Sequence, residues 1–314
     1  MEYNASYLDT YKKYIGKGWY DNTLSSSTLE SWLENFIKSS PETFDSRICA
    51  HFLLASLVFY QDKQLEAIIQ SIEGKLKGQL NQSMEQLQGR RLSEEELKTA
   101  WEKYKQESYV LPAAAPDTTA DSAHAVSRLW RNINHIELGT LPQLVRAIEQ
   151  EGKKHIIFVD DFIGTGTKMS TFLSKNMEIY GFQNLLEIIK KNEIYVDFNV
   201  AVFAVHAKGL ERLSKLPCVL NFYYGDFYDE EYDLLSEQCV LYYDIFAKNR
   251  SNIISYLAQK QQELDSTNLY ALNLPISFRH GCPNNSLALY YKSTPFWVRL
   301  LPESHPPKSK KKEI

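Results

Sequence analysis

The stretch 155-HIIFVDDFIGTGTKMSTFL-173 constrains the fold more than any other part of the chain. Ile156, Ile157, Phe158 and Val159 form the continuous apolar run expected of a strand buried on both faces. Two carboxylates, Asp160 and Asp161, close the run, and a Gly-Thr-Gly-Thr turn leads at once into a helical segment. A buried strand that turns directly into a helix is the repeating unit of a parallel α/β sheet. In such sheets ligands bind beyond the carboxyl ends of the strands.

The turn has the chemistry of an anion cradle. Gly164 and Gly166 let the backbone approach a ligand closely. The amides from Gly164 to Lys168 converge where a turn becomes a helix, and Thr165 and Thr167 add hydroxyl donors. Two carboxylates beside a phosphate would repel it. They make sense if they bind sugar hydroxyls or a divalent ion on the same ligand. A ribose 5-phosphate carries both features. The competing reading is a tight strand–helix turn with capping aspartates. A P-loop is excluded, because no G-x-x-x-x-G-K-[ST] spacing exists.

Strands alternate with helices on both sides of this unit. Apolar segments at 109–113, 194–206 and 218–224 read as further strands, with helices at 122–132, 140–152, 182–192, from Gly209 onward, and at 245–264. Residues 1–108 read as a helical lobe. Leu29, Trp32, Leu33, Phe36 and Ile37 recur on one helical face, a second buried helix runs from Phe44 to Tyr60, and Ser93 with Glu96 forms a capping box. The expected organisation is a helical lobe over 1–108, an α/β domain over 109–303 and a basic, proline-containing tail over 304–314. With 314 residues, 44% of them hydrophobic, a large core is available. The net charge of -4 gives no general attraction to polyanions, so contact with nucleic acid would need a local patch. No run is long enough for a bilayer span, and four scattered cysteines without metal-ligand spacing point to a reducing cytoplasm.

Three further segments carry polar groups at strand ends. In 116-PDTTADSAH-124, Thr118, Thr119 and Ser122 can donate to phosphate oxygens, and His124 and Arg128 follow one turn apart; the segment also reads as an ordinary polar connection. In 276-ISFRHGCPNNSLALYY-291, His280 suits proton transfer near neutrality, and Asn284 and Asn285 suit recognition of a base edge. The alternative there is a turn capped by asparagines. His206 and Lys208 either line the same crevice or cap a helix, and the acidic run Asp226, Asp229, Glu230, Glu231, Asp233 either binds metal or is a solvated loop.

The pattern of apolar strand, acidic pair, two variable residues and Thr-Gly turn resembles the phosphoribosyl pyrophosphate (PRPP) loop of type I phosphoribosyltransferases. The resemblance implies that Asp160 and Asp161 hold the ribose hydroxyls, with Mg²⁺ at the same ligand, and that Gly164, Thr165, Gly166, Thr167 and Lys168 cradle the 5-phosphate. The loop with Thr118, Thr119, Ser122 and Arg128 would hold pyrophosphate, His280 would move a proton at the base, and Asn284 and Asn285 would contact it. One position departs: the last cradle residue is commonly threonine and here is Lys168. Either Thr167 supplies the missing hydroxyl or Lys168 adds a charge. The histidine, the Pro-Asn-Asn turn and the aromatic-rich end make the chain similar to the phosphoribosyltransferase-like (PRTase-CE-like) domains of bacterial conflict systems, over roughly 109–303. Those are encoded beside reverse transcriptases in some retrons, often with a winged-helix partner. That likeness implies an antiphage effector, or toxin, held by a reverse transcriptase–msDNA complex and acting on PRPP or a nucleotide at ribose C1. The alternative is a non-catalytic nucleotide sensor or scaffold on that complex.

Overall fold

The computed structural model describes residues 25–38, 44–114, 121–176, 182–191, 193–216, 218–267 and 271–303. In chain order its elements are α1 (Ser26–Lys38), α2 (Arg47–Ser56), β1 (Val58–Tyr60), α3 (Asp62–Gln88), α4 (Glu94–Gln106), β2 (Ser108–Pro112), α5 (Ser122–Asn134), α6 (Leu144–Glu149), β3 (His155–Ile163), α7 (Thr167–Thr171), α8 (Phe182–Lys191), β4 (Asp197–His206), α9 (Ala207–Leu213), β5 (Leu220–Tyr228), α10 (Asp244–Lys248), α11 (Arg250–Asp265), β6 (Ile276–Phe278) and α12 (Ala288–Tyr291). Contacts divide the chain into two units. Met1–Asp62 joins Asp229–Ile314 in the first, and Lys63–Tyr228 forms the second. The second is an insertion in the sequence of the first, and the boundary expected at residue 108 falls inside it. The basic tail, 304–314, lies outside the described residues.

In the first unit, Leu29, Trp32, Leu33 and Phe36 turn one face of α1 into the core, as their spacing predicts, whereas Ile37 stays 59% exposed. The same core takes in Phe52, Tyr242, Phe246, Leu257, Tyr290 and Trp297. Phe52 stacks on Tyr242 with ring centroids 4.2 Å apart. Two polar side chains of this core find backbone partners: Trp32 Nε1 donates to Leu289 O at 2.9 Å, and the Asn35 amide both donates to Val298 O and accepts from Val298 N. The helix expected from Phe44 to Tyr60 ends at Ser56. Val58, Phe59 and Tyr60 leave it as β1 and pair in parallel with Ile276, Ser277 and Phe278 of β6. A β-branched residue followed by two aromatics fits a strand better than a helix end. The long helix expected at 245–264 is likewise two, interrupted at Asn249.

The second unit holds a four-stranded parallel sheet in the order β2-β3-β4-β5. Helices between consecutive strands bury Leu144, Phe172 and Leu185 with Ile156, Phe158, Val200 and Val202 of the sheet. This is the α/β architecture expected from the alternating pattern. The capping box forms: the Ser93 hydroxyl accepts from Glu96 N at 3.3 Å, and the Glu96 carboxylate accepts from Ser93 N at 2.8 Å. Arg90 also pairs with Glu96, which brings its carboxyl down to about 2.

β3 does not stop at the acidic pair. Its ladder with β4 continues through Asp160 opposite Val202 and Phe162 opposite Ala204 to Ile163, while β2 ends at Pro112 opposite Val159. The two aspartates therefore lie inside β3, beyond the end of one neighbouring strand and beside the other.

Candidate functional site

The carboxyl end of β3 follows from that mismatch in strand length. Where β2 stops, β3 keeps its ladder on one side only, and polar side chains can occupy the vacated edge. Asp160 and Asp161 are there, 1% and 6% exposed. Asp160 Oδ1 accepts from Asp161 N at 3.0 Å, and Asp161 Oδ1 accepts from Phe162 N at 2.8 Å.

The charge beside Asp160 comes from Lys168. Its ammonium donates to Asp121 Oδ1 at 2.7 Å and to Asp160 Oδ1 at 3.0 Å. Asp121 is the N-cap of α5, where it also accepts from Ala123 N. One ammonium thus joins the start of α5 to β3. Burial pushes the Asp160 carboxyl up to about 8, with Lys168 opposing the rise and Asp161 and Asp121 adding to it. Burial works against the Lys168 ammonium too, but the charges of Asp160, Asp161 and Asp121 outweigh it and hold Lys168 above the ordinary lysine value. These directions conflict, since one favours a neutral acid and the other a charged neighbour. The two short contacts to a single ammonium decide it for a protonated Lys168 shared by two carboxyl groups.

The turn itself is built as a cradle. Gly166 takes the left-handed region, with φ 72°, which favours glycine. Ser170 N donates back to Gly166 O at 2.8 Å and closes the first turn of α7, which continues as a π turn through Phe172–Asn176. Behind the cradle stands α9. A Cβ on Gly209 would meet Gly164 O and Ile163 Cγ2, each at 2.6 Å, so only glycine lets α9 seat against this turn. Arg212, one turn further along α9, donates from Nη1 to Thr167 Oγ1 at 2.7 Å, and Thr167 Oγ1 lies 3.1 Å from Thr165 Oγ1. Of the two readings of the departure from threonine, Thr167 stands at the cradle and Lys168 folds back to the acids.

The structure therefore gathers Asp160, Asp161, Gly164, Thr165, Gly166, Thr167 and Lys168 in one place, with Asp121, Gly209 and Arg212, which sequence reasoning missed. Ser122 and Arg128 lie on α5. Ser122 Oγ is buried and has no hydrogen-bond partner, as is His124 Nε2, and Arg128 is exposed. Thr118 and Thr119 lie outside the described residues. His280, Asn284 and Asn285 belong to the other unit. There His280 stacks on Phe278 at 5.5 Å, Asn284 is exposed, and the Asn285 carbonyl accepts from Leu272 N and Leu274 N. His206 acts as a cap, its Nδ1 accepting from Lys208 N at 3.1 Å. In the acidic run, Asp229 and Asp233 accept from the backbone of Glu231 and Leu235 and so shape turns. Among the described residues no group of three or more His, Cys, Asp or Glu is placed to hold a metal ion. An ammonium 3.0 Å from Asp160 opposes a divalent ion there, so the side chains do not form a cation cage of their own. Nor, among the described residues, is any helix long and apolar enough to cross a membrane.

No curated protein matches the chain. Among solved structures it is similar to an orotate phosphoribosyltransferase from Aeropyrum pernix, with 13% identity, a TM-score of 0.23, and coverage of 41% of this chain and 72% of that one. A family model, PRTase-CE, matches residues 29–302, starting well before the 109–303 stretch that carried the resemblance. The helices ahead of residue 109 are thus part of the family's own domain. Spanning nearly the whole chain, that match places the protein in the PRTase-CE family, a phosphoribosyltransferase-like family.

Proposed function

We propose that the turn between β3 and α7 binds the 5-phosphate of PRPP or of a nucleotide, and that the chain makes or breaks the N-glycosidic bond at ribose C1. The observation that carries this reading is the juxtaposition at the end of β3. Two buried carboxylates adjoin a glycine turn whose Thr167 hydroxyl is held by Arg212. The amides of the cradle and the Arg212 guanidinium take the phosphate, a charge-assisted contact. Asp160 and Asp161 accept the ribose hydroxyls and orient the sugar as positive charge develops at C1. For that, Lys168 leaves Asp160 and turns to the phosphate beside it. In transfer, the C1–O bond to pyrophosphate breaks, a C1–N bond to a base forms, and the base's N–H proton leaves with the pyrophosphate. In cleavage, the C1–N bond breaks, a water oxygen bonds to C1 and its proton leaves with the base. Mg²⁺ enters this reading only through the phosphates of the ligand, and no step is assigned to it. Every group used in these steps lies in the second unit. The biological setting we propose is that of a cytoplasmic antiphage effector of the retron type, restrained by a reverse transcriptase–msDNA complex and a winged-helix partner.

A second reading is favoured by one contact. Lys168 already satisfies Asp160, so the fold also suits a sensor that binds a nucleotide without turnover. Purified protein mixed with PRPP or nucleotides and Mg²⁺, with products followed by chromatography, separates the two. Turnover that Asp160→Asn/Asp161→Asn abolishes supports the enzyme. Saturable binding without products supports the sensor, and neither binding nor products would overturn both.

A further inference from the structure

Helix α5 has two unlike faces. Ala123, Val126 and Trp130 are buried, each at most 3% exposed, where the helix packs on β2 and β3. On the opposite side Arg128, Arg131, Asn132 and His135 are exposed. At 3.6 residues per turn, Arg128, Arg131 and His135 fall in one row, about 4.5 Å and then about 6 Å apart along the axis. His135 closes the helix in the left-handed region, with φ 55°, at a position usually held by glycine.

The row has no counter-charge of its own. From Ser122 to Ile136 the chain contains no aspartate or glutamate. The acids that bracket this stretch are already engaged: Lys168 holds Asp121 and Lys153 holds Glu137, each at 2.7 Å. Elsewhere in the second unit, Arg90 pairs with Glu96 and Arg146 with Glu151. Among the described residues, Arg128 and Arg131 have no such partner. In a chain of net charge -4, a helix face with only positive side chains is a local patch of the kind that a polyanion requires.

The arrangement says what the partner is. The cations are spread along the helix, so a single small anion meets one of them, whereas a chain of repeated anions meets the whole row. A lipid surface does not fit, because none of the large apolar side chains exposed on the protein lies on α5. Arginine grips phosphate through two parallel hydrogen bonds, and the exposed Asn132 amide beside the row can donate and accept at a base edge. We infer that the outward face of α5 binds the phosphodiester backbone of a nucleic acid. Its ligand is a polymer, and the inference stands whatever the cradle holds.

The test uses the full chain and fluorescein-labelled oligothymidine, with oligouridine and a DNA duplex as parallel arms, read by anisotropy across a salt series. At least one arm is expected to bind saturably, with an affinity that falls as salt rises. Arg128→Ala/Arg131→Ala is expected to weaken that arm about tenfold or more at low salt. It should also reduce the slope of log affinity against log salt by about 0.7 for each arginine on a single strand, or about 0.9 on a duplex. Arg128→Lys/Arg131→Lys should keep most of the slope and lose part of the affinity. Circular dichroism of each variant checks its fold. Three results overturn the inference. In the first, no arm binds the wild-type chain. In the second, the alanine variant binds with unchanged affinity and slope, so the contact lies elsewhere. In the third, polyglutamate binds through the same arginines as tightly as any nucleic acid, which makes α5 a surface for an acidic protein.

Discussion

The Lys168 ammonium lies 3.0 Å from the Asp160 carboxylate, a residue 1% exposed, and 2.7 Å from Asp121 at the start of α5. Above about pH 8, where Asp160 is ionised, removing Lys168 leaves that carboxylate without its partner in a poorly hydrated place, which costs more than the pair itself contributes. Lys168→Thr, which restores the residue common at that position, is therefore expected to destabilise the protein by about 2 kcal/mol, scaled down from a fully buried pair because the lysine is partly exposed. Adding Asp160→Asn should recover part of the loss. Urea unfolding of both single variants and the double variant measures the coupling.

The pH dependence has a definite sign. Asp160 is pushed up to about 8 from an ordinary 3.8, first by burial and then by Asp161 and Asp121, against Lys168. The folded state thus holds a proton that the unfolded chain releases near 3.8. This contribution is fully present below that value and is lost as pH rises through about 8. The urea midpoint of the wild type is expected to fall between those limits more steeply than that of Asp160→Asn. Identical slopes would contradict the assignment.

Arg212 is exposed and touches Thr167 Oγ1, so its replacement should cost little stability. If the guanidinium completes the cradle, Arg212→Ala is expected to weaken ribose 5-phosphate binding about tenfold, the worth of one charge-assisted contact. Arg212→Lys should restore part of it. Calorimetric titration of the three proteins gives the comparison.

Gly209 has no room for a methyl group, since Gly164 O and Ile163 Cγ2 already stand at 2.6 Å from where it would be. Gly209→Ala must move α9 or the turn, at about 1–3 kcal/mol for an overpacked site. A lower melting temperature together with weaker ribose 5-phosphate binding is the expected outcome. Normal binding at reduced stability would mean that the cradle tolerates the shift.

What could be read in the sequence was local. The apolar run from Ile156 to Val159 and the glycines at 164 and 166 identify a buried strand and a tight turn without any tertiary knowledge. The pairing that defines β1 could not be seen, because three residues make no periodic signal and the partners, Ile276 to Phe278, are far away in the chain. Arg212 escaped for the same reason. It reaches Thr167 only because the turn at Gly164–Gly166 packs against Gly209. Lys168 was visible as a departure from threonine, but its direction depends on Asp121, whose position is set by α5.

The ladder between Val58 and Ile276 bears on how the molecule is made. A nascent chain emerging from the ribosome exposes α1 and α2, with Trp32, Phe36 and Phe52, long before α11, β6 and α12 exist to shelter them. The inserted segment from Lys63 to Tyr228 contains all four strands of its own sheet and can settle first. At ~5–20 residues per second the earlier helices wait on the order of ten seconds for their partners. During that interval they are natural clients for a chaperone, and synthesis stopped before Phe278 would leave a finished inner unit carried by an unfinished outer one.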